Sequence, residues 1–382
     1  MFFCWFTSVS EPRSAYIHVP FCAHRCGYCD FTLVAGRDDL AESYLNALDA
    51  EIQRTNCCDR LDTLFIGGGT PTHLDVEQLE RLLGMLRTRF DLAADVEFSV
   101  EANPAGLGDD KLAVLADAGV NRVSLGVQSF DDSDLVVLER DHRRAELDEC
   151  LERVLRRFSN VSLDLIFAVP GQTLAGWLDS LHSALALNLQ HLSTYGLTFE
   201  KGTSYWSRRH AGTLQQTADE LERDMYAAAI DTISAAGFEQ YEISSFARPG
   251  FECRHNQVYW TGLPYQGFGP GAASYLDGRR ICNHRSTTTW IKRVLNGCTG
   301  RAEVEELQTD DRAREFLVLS LRRLTGISRE RFHATTGQRL DATSGAQLER
   351  LVQRGLIHDD GHRVQLSREG LFLFDTVAGD LL

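Results

Sequence analysis

Two rhythms of apolar residues alternate over the first two thirds of the chain. Short runs such as AYIHVP, LDTLFIGGG, DVEFSVEANP, RVSLGVQSF, VSLDLIFAVPGQT and HLSTYGLTFEKGT read as strands. Between them, apolar residues recurring three and four apart predict helices over 40–54, 76–89, 109–118, 134–138, 145–157, 174–188 and 218–236. Six strand-then-helix units in succession predict a parallel sheet joined by right-handed crossovers. A closed barrel of this kind needs eight such units, so the α/β reading is an open, partial (β/α)6 TIM-like barrel. Its polar and glycine-rich positions fall just after the strands, at 67–69, Glu101, Gln128, 170–173 and Glu200. That is the end at which such barrels carry their chemistry.

The pattern changes after residue 236. GFEQYEISSFARPGFECRHNQVYW and GFGPGAASYLDGRRICN are glycine-rich, with only short apolar runs. From about residue 303, helices are predicted at 310–323, 329–335 and 345–354, followed by a hairpin turning at 359–361. The expected division is an N-terminal extension (1–12), a partial barrel (13–236), a connecting region (237–302) and a small winged-helix-like domain (303–382).

Composition narrows the function classes. With 382 residues and 43% apolar content, the chain can bury a large core. A formal net charge of −15 argues against general nucleic-acid or anionic-lipid binding, and so favours a packing or lid role for the C-terminal module over DNA binding. No apolar run is long enough to span a bilayer, and MFFCWFTSVSEPR has no basic residue ahead of its apolar part, unlike a secretory signal. The expected compartment is the cytosol, where ten cysteines are no disulfide framework and clustered ones hold metal or do chemistry.

YIHVPFCAHRCGYCDF brings Cys22, Cys26 and Cys29 together in one loop beside Pro, Gly and Asp, poor company for core thiols. Closed zinc sites take four ligands, so zinc would need His18 or His24 as well. A redox dithiol made of Cys26 and Cys29 leaves Cys22 without a purpose. A 4Fe-4S cluster held at three corners uses all three thiolates and leaves one iron open for a small molecule. The amino and carboxylate groups of a methionine could chelate that iron. The spacing favours this last reading and leaves the other three open.

Two segments settle the comparison with known families. The loop resembles the CxxxCxxC signature of radical S-adenosylmethionine proteins, and FIGGGTPT (65–72) resembles their glycine segment. More closely, YIHVPFC, GGGTPT, EANP, LGVQSF, DLIFAVPGQT, GFGPGA and the winged C-terminal part resemble the oxygen-independent coproporphyrinogen III oxidase family over nearly the whole chain. The resemblance implies a partial (β/α)6 barrel that binds a 4Fe-4S cluster through Cys22, Cys26 and Cys29. It also implies an S-adenosylmethionine site. There Gly68, Gly69 and Thr70 would grip the methionine end, Glu101 and Gln128 would bind the adenosyl portion, and Arg140 would pair with the methionine carboxylate. Asp164, Thr198 and Ala273 would line the adenosine or a second ligand pocket, and Tyr16 would lie near the bound ligand.

One departure matters. The oxidase carries a further cysteine two residues after the third, whereas this chain has Asp30 and then Phe31. The segment ECRHNQVYWTG instead resembles the HNxxYW motif of the heme chaperone branch of the family. By that resemblance His255 would offer an imidazole to heme iron, with Asn256 beside it and Tyr259 and Trp260 presenting flat faces to a porphyrin. The alternative is a core turn in which His255 and the aromatics only fill space. Cys253 is a second candidate iron ligand; Cys57, Cys58, Cys150, Cys282 and Cys298 show no ligand spacing. The expected function is a cytosolic heme chaperone with a 4Fe-4S cluster, S-adenosylmethionine, heme and acceptor hemoproteins as its cofactors and partners. The state of assembly, monomer or homodimer, is left open. The rival is anaerobic oxidative decarboxylation of coproporphyrinogen III by an adenosyl radical; a DNA-binding iron–sulfur sensor is a third reading.

Overall fold

The computed structural model describes residues 11–55 and 60–382; Cys57, Cys58 and the first ten residues of the N-terminal extension lie outside them. The six expected strands form: β1 (Ser14–Val19), β2 (Leu61–Gly68), β3 (Leu92–Ala102), β4 (Arg122–Gln128), β5 (Val161–Phe167) and β6 (His191–Gly196). Each is parallel to its neighbour, in sequence order. The side chains alternate as the pleat requires. Ile17, Leu64, Val100, Val123, Leu125 and Leu163 are fully buried against the crossover helices. Tyr16, Phe65, Glu101, Ser124, Asp164 and Ser193 belong to the opposite set, and they line a polar cavity of about 280 Å3 inside the open barrel.

The helices follow the predicted periodicity closely. Val76–Arg89 matches residue for residue, and Asp75 caps it by accepting from Gln78 N (2.8 Å) while Gln78 Oε1 accepts from Asp75 N (3.3 Å). Ala41–Arg54 buries Leu45, Leu48 and Ile52, each worth about 1.5–3 kcal/mol of transfer free energy.

The sheet is wider than six strands. An antiparallel hairpin, β7 (Glu239–Glu242) and β8 (Ser245–Ala247), extends it beyond β6. At the other edge β9 (Gln266–Phe268) lies parallel to β1, with Tyr16 opposite Gly267. The GFGPGA segment, which has no strong strand ahead of it in the sequence, therefore itself completes an edge strand. A second, three-stranded sheet follows, built from Ala273–Leu276, Arg279–Asn283 and Arg301–Glu306. The expected boundary at 302/303 falls inside the last of these strands.

Residues from Ala313 onward form a separate core, with Phe316, Leu317, Phe332, Leu351 and Val364 at its centre. Three helices, Thr309–Leu321, Arg329–Thr336 and Leu340–Gln353, pack on a small sheet whose Ile357–Asp359 and Arg363–Leu366 strands form the expected wing. The third helix starts five residues earlier than the periodicity suggests, because it carries a kink at Ser344 (φ −142°) just before Gly345. Among the described residues, no helix is long and apolar enough to cross a membrane.

A single carboxylate ties the connecting region to the barrel. Glu51, on Ala41–Arg54, accepts from Gly269 N (2.8 Å), Asn283 Nδ2 (2.9 Å) and Trp290 Nε1 (3.1 Å). Burial nevertheless pushes its pKa up to about 7, so the folded chain holds a proton there that the unfolded chain releases nearer 4.5. Between those values stability falls as pH rises, because the native state binds more protons than the unfolded one. Relative to Glu51→Gln, the wild-type unfolding free energy is expected to drop by about 3 kcal/mol from pH 4.5 to above pH 7. Parallel denaturation curves for the two proteins across that range would exclude the assignment.

Candidate functional site

The loop after β1 carries the three cysteines, and all three line one cavity of about 500 Å3 at the C-terminal ends of the strands. Gly68, Gly69, Thr70, Glu101, Gln128, Arg140, Asp164 and Thr198 line the same cavity, so the structure brings together most of the residues proposed for the small-molecule site. Tyr16 and Ala273 do not join them. Tyr16 points from β1 into the barrel beside Glu101, and Ala273 opens the second sheet beyond edge strand β9. Both line a neighbouring cavity instead.

The cysteine cavity can be tested against the metal readings. All three thiols are free; Cys22 and Cys26 are buried and Cys29 is partly so. Among the described residues, no three His, Cys, Asp or Glu side chains converge on a point that would hold a single ion, as a zinc site requires. Neither histidine has an unbonded Nε2, although His24 lines the cysteine cavity with its Nε2 3.6 Å from Cys26 Sγ. His18 is bonded at Nε2 to the Thr32 carbonyl (2.6 Å) and at Nδ1 to Tyr16 OH (3.2 Å), and His24 Nε2 is bonded to the Glu139 carbonyl. A multi-iron cluster needs thiolates around a larger body, and all three cysteines line a cavity of about 500 Å3. A Cβ on Gly69 would come within 2.7 Å of the Phe21 carbonyl and 3.0 Å of Cys22 Sγ, so only glycine lets the backbone pass this close to the thiol.

Electrostatics around the thiols are mixed. Burial raises all three pKa values, that of Cys22 to about 11. Thr70 lies 3.4 Å from Cys22 Sγ, and Arg140 Nη1 points at Cys26 Sγ (3.8 Å); both favour the thiolate. The Arg140 guanidinium also donates from Nη2 to Asn103 Oδ1 (2.7 Å) and the Gly126 carbonyl (2.9 Å), while its buried Nε has no partner among the described residues. Glu101 accepts from Gly68 N (3.0 Å), and burial together with nearby Asp164 raises its pKa to about 7. Asp164 is held by Ser124 Oγ (3.1 Å). Gln128 (φ 70°) and Glu139 (φ 55°) both adopt left-handed conformations beside this cavity. Such strain persists where surroundings impose it, commonly at functional sites.

A second cavity, of about 850 Å3, adjoins the first and shares Phe31, Gly68 and Glu101 with it. Tyr259, Trp260, Tyr265, Tyr275 and Phe316 give it aromatic walls, and Arg280, Arg285 and Arg312 stand in its lining. Its inner wall is the short helix Arg254–Trp260. Glu97 on β3 anchors that helix by accepting from the Arg254 and His255 N–H groups (2.9 Å each).

That anchoring turns His255 inward. Its Nδ1 is bonded to Thr63 Oγ1 (2.8 Å) and its Nε2 to Tyr259 OH (2.7 Å), while its ring stacks on Phe65 at 5.1 Å. Burial, aided by Arg122, lowers its pKa to about 3. Both nitrogens are thus engaged, and the expected free imidazole is absent from the larger cavity; the residue positions Tyr259. Asn256 lines the small interior cavity and not the aromatic one. Trp260 does reach the aromatic cavity, but Arg322, at the end of helix Thr309–Leu321, stacks on it at 4.4 Å. Cys253 is buried with its thiol toward Glu97 (3.6 Å), lines none of these three cavities, and has its pKa pushed up by burial to about 12.

The sequence reading passed over Asn103, Glu97 and Arg322. Asn103 had a signal, standing two residues after Glu101 in EANP at a strand end. Glu97 was visible only as a charge inside an apolar strand, and its partners lie some 157 residues away. Arg322 had no signal at all.

The chain is similar to several known proteins. The family model for the radical SAM superfamily matches residues 16–184, and that for the HemN C-terminal domain matches residues 307–373. The chain is 39% identical to the heme chaperone HemW of Bacillus subtilis, over 97% of this chain and 99% of that protein. It is 35% identical to the heme chaperone HemW of Escherichia coli, over 95% and 96%. Among solved structures, coproporphyrinogen III oxidase (HemN) from Escherichia coli, a radical SAM enzyme, superposes with a TM-score of 0.85 at 24% identity, over 97% of this chain and 90% of that one. That last likeness establishes the fold.

Proposed function

Because the chain belongs to the radical S-adenosylmethionine superfamily and, within its oxygen-independent coproporphyrinogen III oxidase family, to the heme chaperone branch, we propose that it is a heme chaperone. Cys22, Cys26 and Cys29 would hold a 4Fe-4S cluster. Such a cluster, when bound, supplies an open iron for the amino and carboxylate groups of S-adenosylmethionine and an electron for its sulfonium. Arg140 would face the methionine carboxylate; its buried Nε is the donor with no partner among the described residues. The backbone at Gly68–Thr70 would meet the ammonium end. Glu101, Gln128 and Asp164 would bind the ribose hydroxyls, and Thr198 would lie along the adenosine.

The observation that carries the chaperone reading is the adjoining cavity of about 850 Å3, walled by aromatic residues, which shares Phe31, Gly68 and Glu101 with the cysteine cavity. Its size falls within the range of small-molecule sites, and its aromatic faces suit a porphyrin. The absence of a cysteine at Phe31 supports chaperoning over decarboxylation, since that is where the oxidase resemblance fails. The test is a single anaerobic experiment on reconstituted protein. Heme should titrate to saturation with micromolar or tighter affinity, and coproporphyrinogen with S-adenosylmethionine and a reductant should give no vinyl product. Protoporphyrinogen accumulating over repeated turnovers would replace this proposal with the oxidase.

A further inference from the structure

Three guanidiniums line the larger cavity, and they differ in what holds them. Arg280 is paired with Glu305 (2.8 Å) and Glu315. Arg285 donates to the Asp30 carbonyl (2.7 Å) and to Thr32 Oγ1 (3.1 Å), which ties the cysteine loop to the connecting region. The Arg312 guanidinium makes no hydrogen bond or ion pair with any described residue. Its acidic neighbours are committed elsewhere, Asp310 to Gln338 (2.8 Å) and Asp311 to Arg314 (2.9 Å). Glu303, exposed on Arg301–Glu306, lines the same cavity without pairing to it.

The position of Arg312 is not explained by the stability of its helix. It sits in the first turn of Thr309–Leu321, the end of the helix dipole that disfavours a cation. A turn is also shaped around it. Asp277 (φ 54°) and Gly278 (φ 75°) pass over the guanidinium, and a Cβ on Gly278 would lie 2.4 Å from Arg312 Nη1. A planar cation with no partner among the described residues, beside a glycine turn on the wall of an aromatic cavity, matches a carboxylate on a flat ligand.

We propose that Arg312 is the carboxylate-recognition residue of the larger cavity, receiving one propionate of a porphyrin; this rests on the reading of that cavity as the heme site. It gives the C-terminal domain a direct part in ligand selection, because Arg312 belongs to that domain's first helix.

The test compares heme with heme dimethyl ester, which keeps the ring and iron but lacks the carboxylate charges, on full-length wild type, Arg312→Ala and Arg312→Lys. Wild type should prefer heme about tenfold, the range of a charge-assisted hydrogen bond. Arg312→Ala should lose that preference by weakening heme binding about tenfold while leaving the ester unchanged, and Arg312→Lys should keep part of it. Wild type that binds neither ligand would overturn the cavity reading itself. Wild type that binds both, with an undiminished preference for heme in Arg312→Ala, would overturn the role of Arg312 alone. Thermal denaturation of each variant verifies that the half-buried arginine is not needed for folding.

Discussion

Replacing any one of Cys22, Cys26 or Cys29 with alanine is expected to abolish iron and sulfide binding in anaerobically reconstituted protein. The broad absorbance near 400 nm should fall to that of the apoprotein, and far-ultraviolet circular dichroism should stay unchanged. The effect is large because three ligands are already one short of the usual four, so two thiolates leave half the cluster's irons uncapped. The fold should survive because the bonds lost are weak: Cys22 gives up one to Thr70 (3.4 Å), and Cys26 gives up long ones to the Glu139 carbonyl (3.7 Å) and to Arg140 (3.8 Å). A stoichiometric zinc content in the wild type, or a double cysteine variant that still holds four irons, would remove the basis for every cofactor assignment made above.

The second large effect is expected at His255, and in stability. His255→Ala should lower the unfolding free energy by about 2–4 kcal/mol, read from denaturant midpoints at constant slope. The substitution leaves Thr63 Oγ1 and Tyr259 OH without their partner and opens a void against Phe65. Both hydroxyls lie in a region with little access to water, where an unmet polar group costs more than a bond gains. Heme bound to the folded variant should keep the wild-type ligation spectrum, since no nitrogen of residue 255 faces the cavity. Loss of an axial-imidazole signature at unchanged stability would return His255 to the iron. Affinity itself should weaken to the extent that Tyr259, no longer held at its hydroxyl, wanders from the cavity wall.

The two sites differed in how far they could be read from the chain. Cys22, Cys26 and Cys29 lie within eight residues, so their proximity follows from chain connectivity, whatever the rest of the protein does. Glu101 and Gln128 were readable for a related reason. Each ends an apolar strand in a parallel series, and parallel strands present their C-terminal ends to one side. The HNxxYW segment was recognisable as a motif, yet a helix of under two turns carries too little periodicity to say which face is inward. The core-turn alternative weighed for His255 describes its surroundings better than the iron-ligand reading does. The geometry is set by Thr63 and Glu97, roughly 190 and 160 residues earlier in the chain.

By itself, then, the sequence determined the open α/β barrel, the grouping of three thiols in one loop and the small winged C-terminal part. Alternation, turn residues and short-range spacing are local properties that survive without knowledge of tertiary contacts. Only the tertiary structure decided that β9 lies at the edge beside β1, that Tyr16 and Ala273 belong to the second cavity, that His255 is engaged by Thr63 and Tyr259, and that Arg312 is left unpaired among the described residues. Each of these depends on which distant segments are brought within a few ångströms. The direction of a side chain and the partners it finds there are set by packing, which no local pattern encodes.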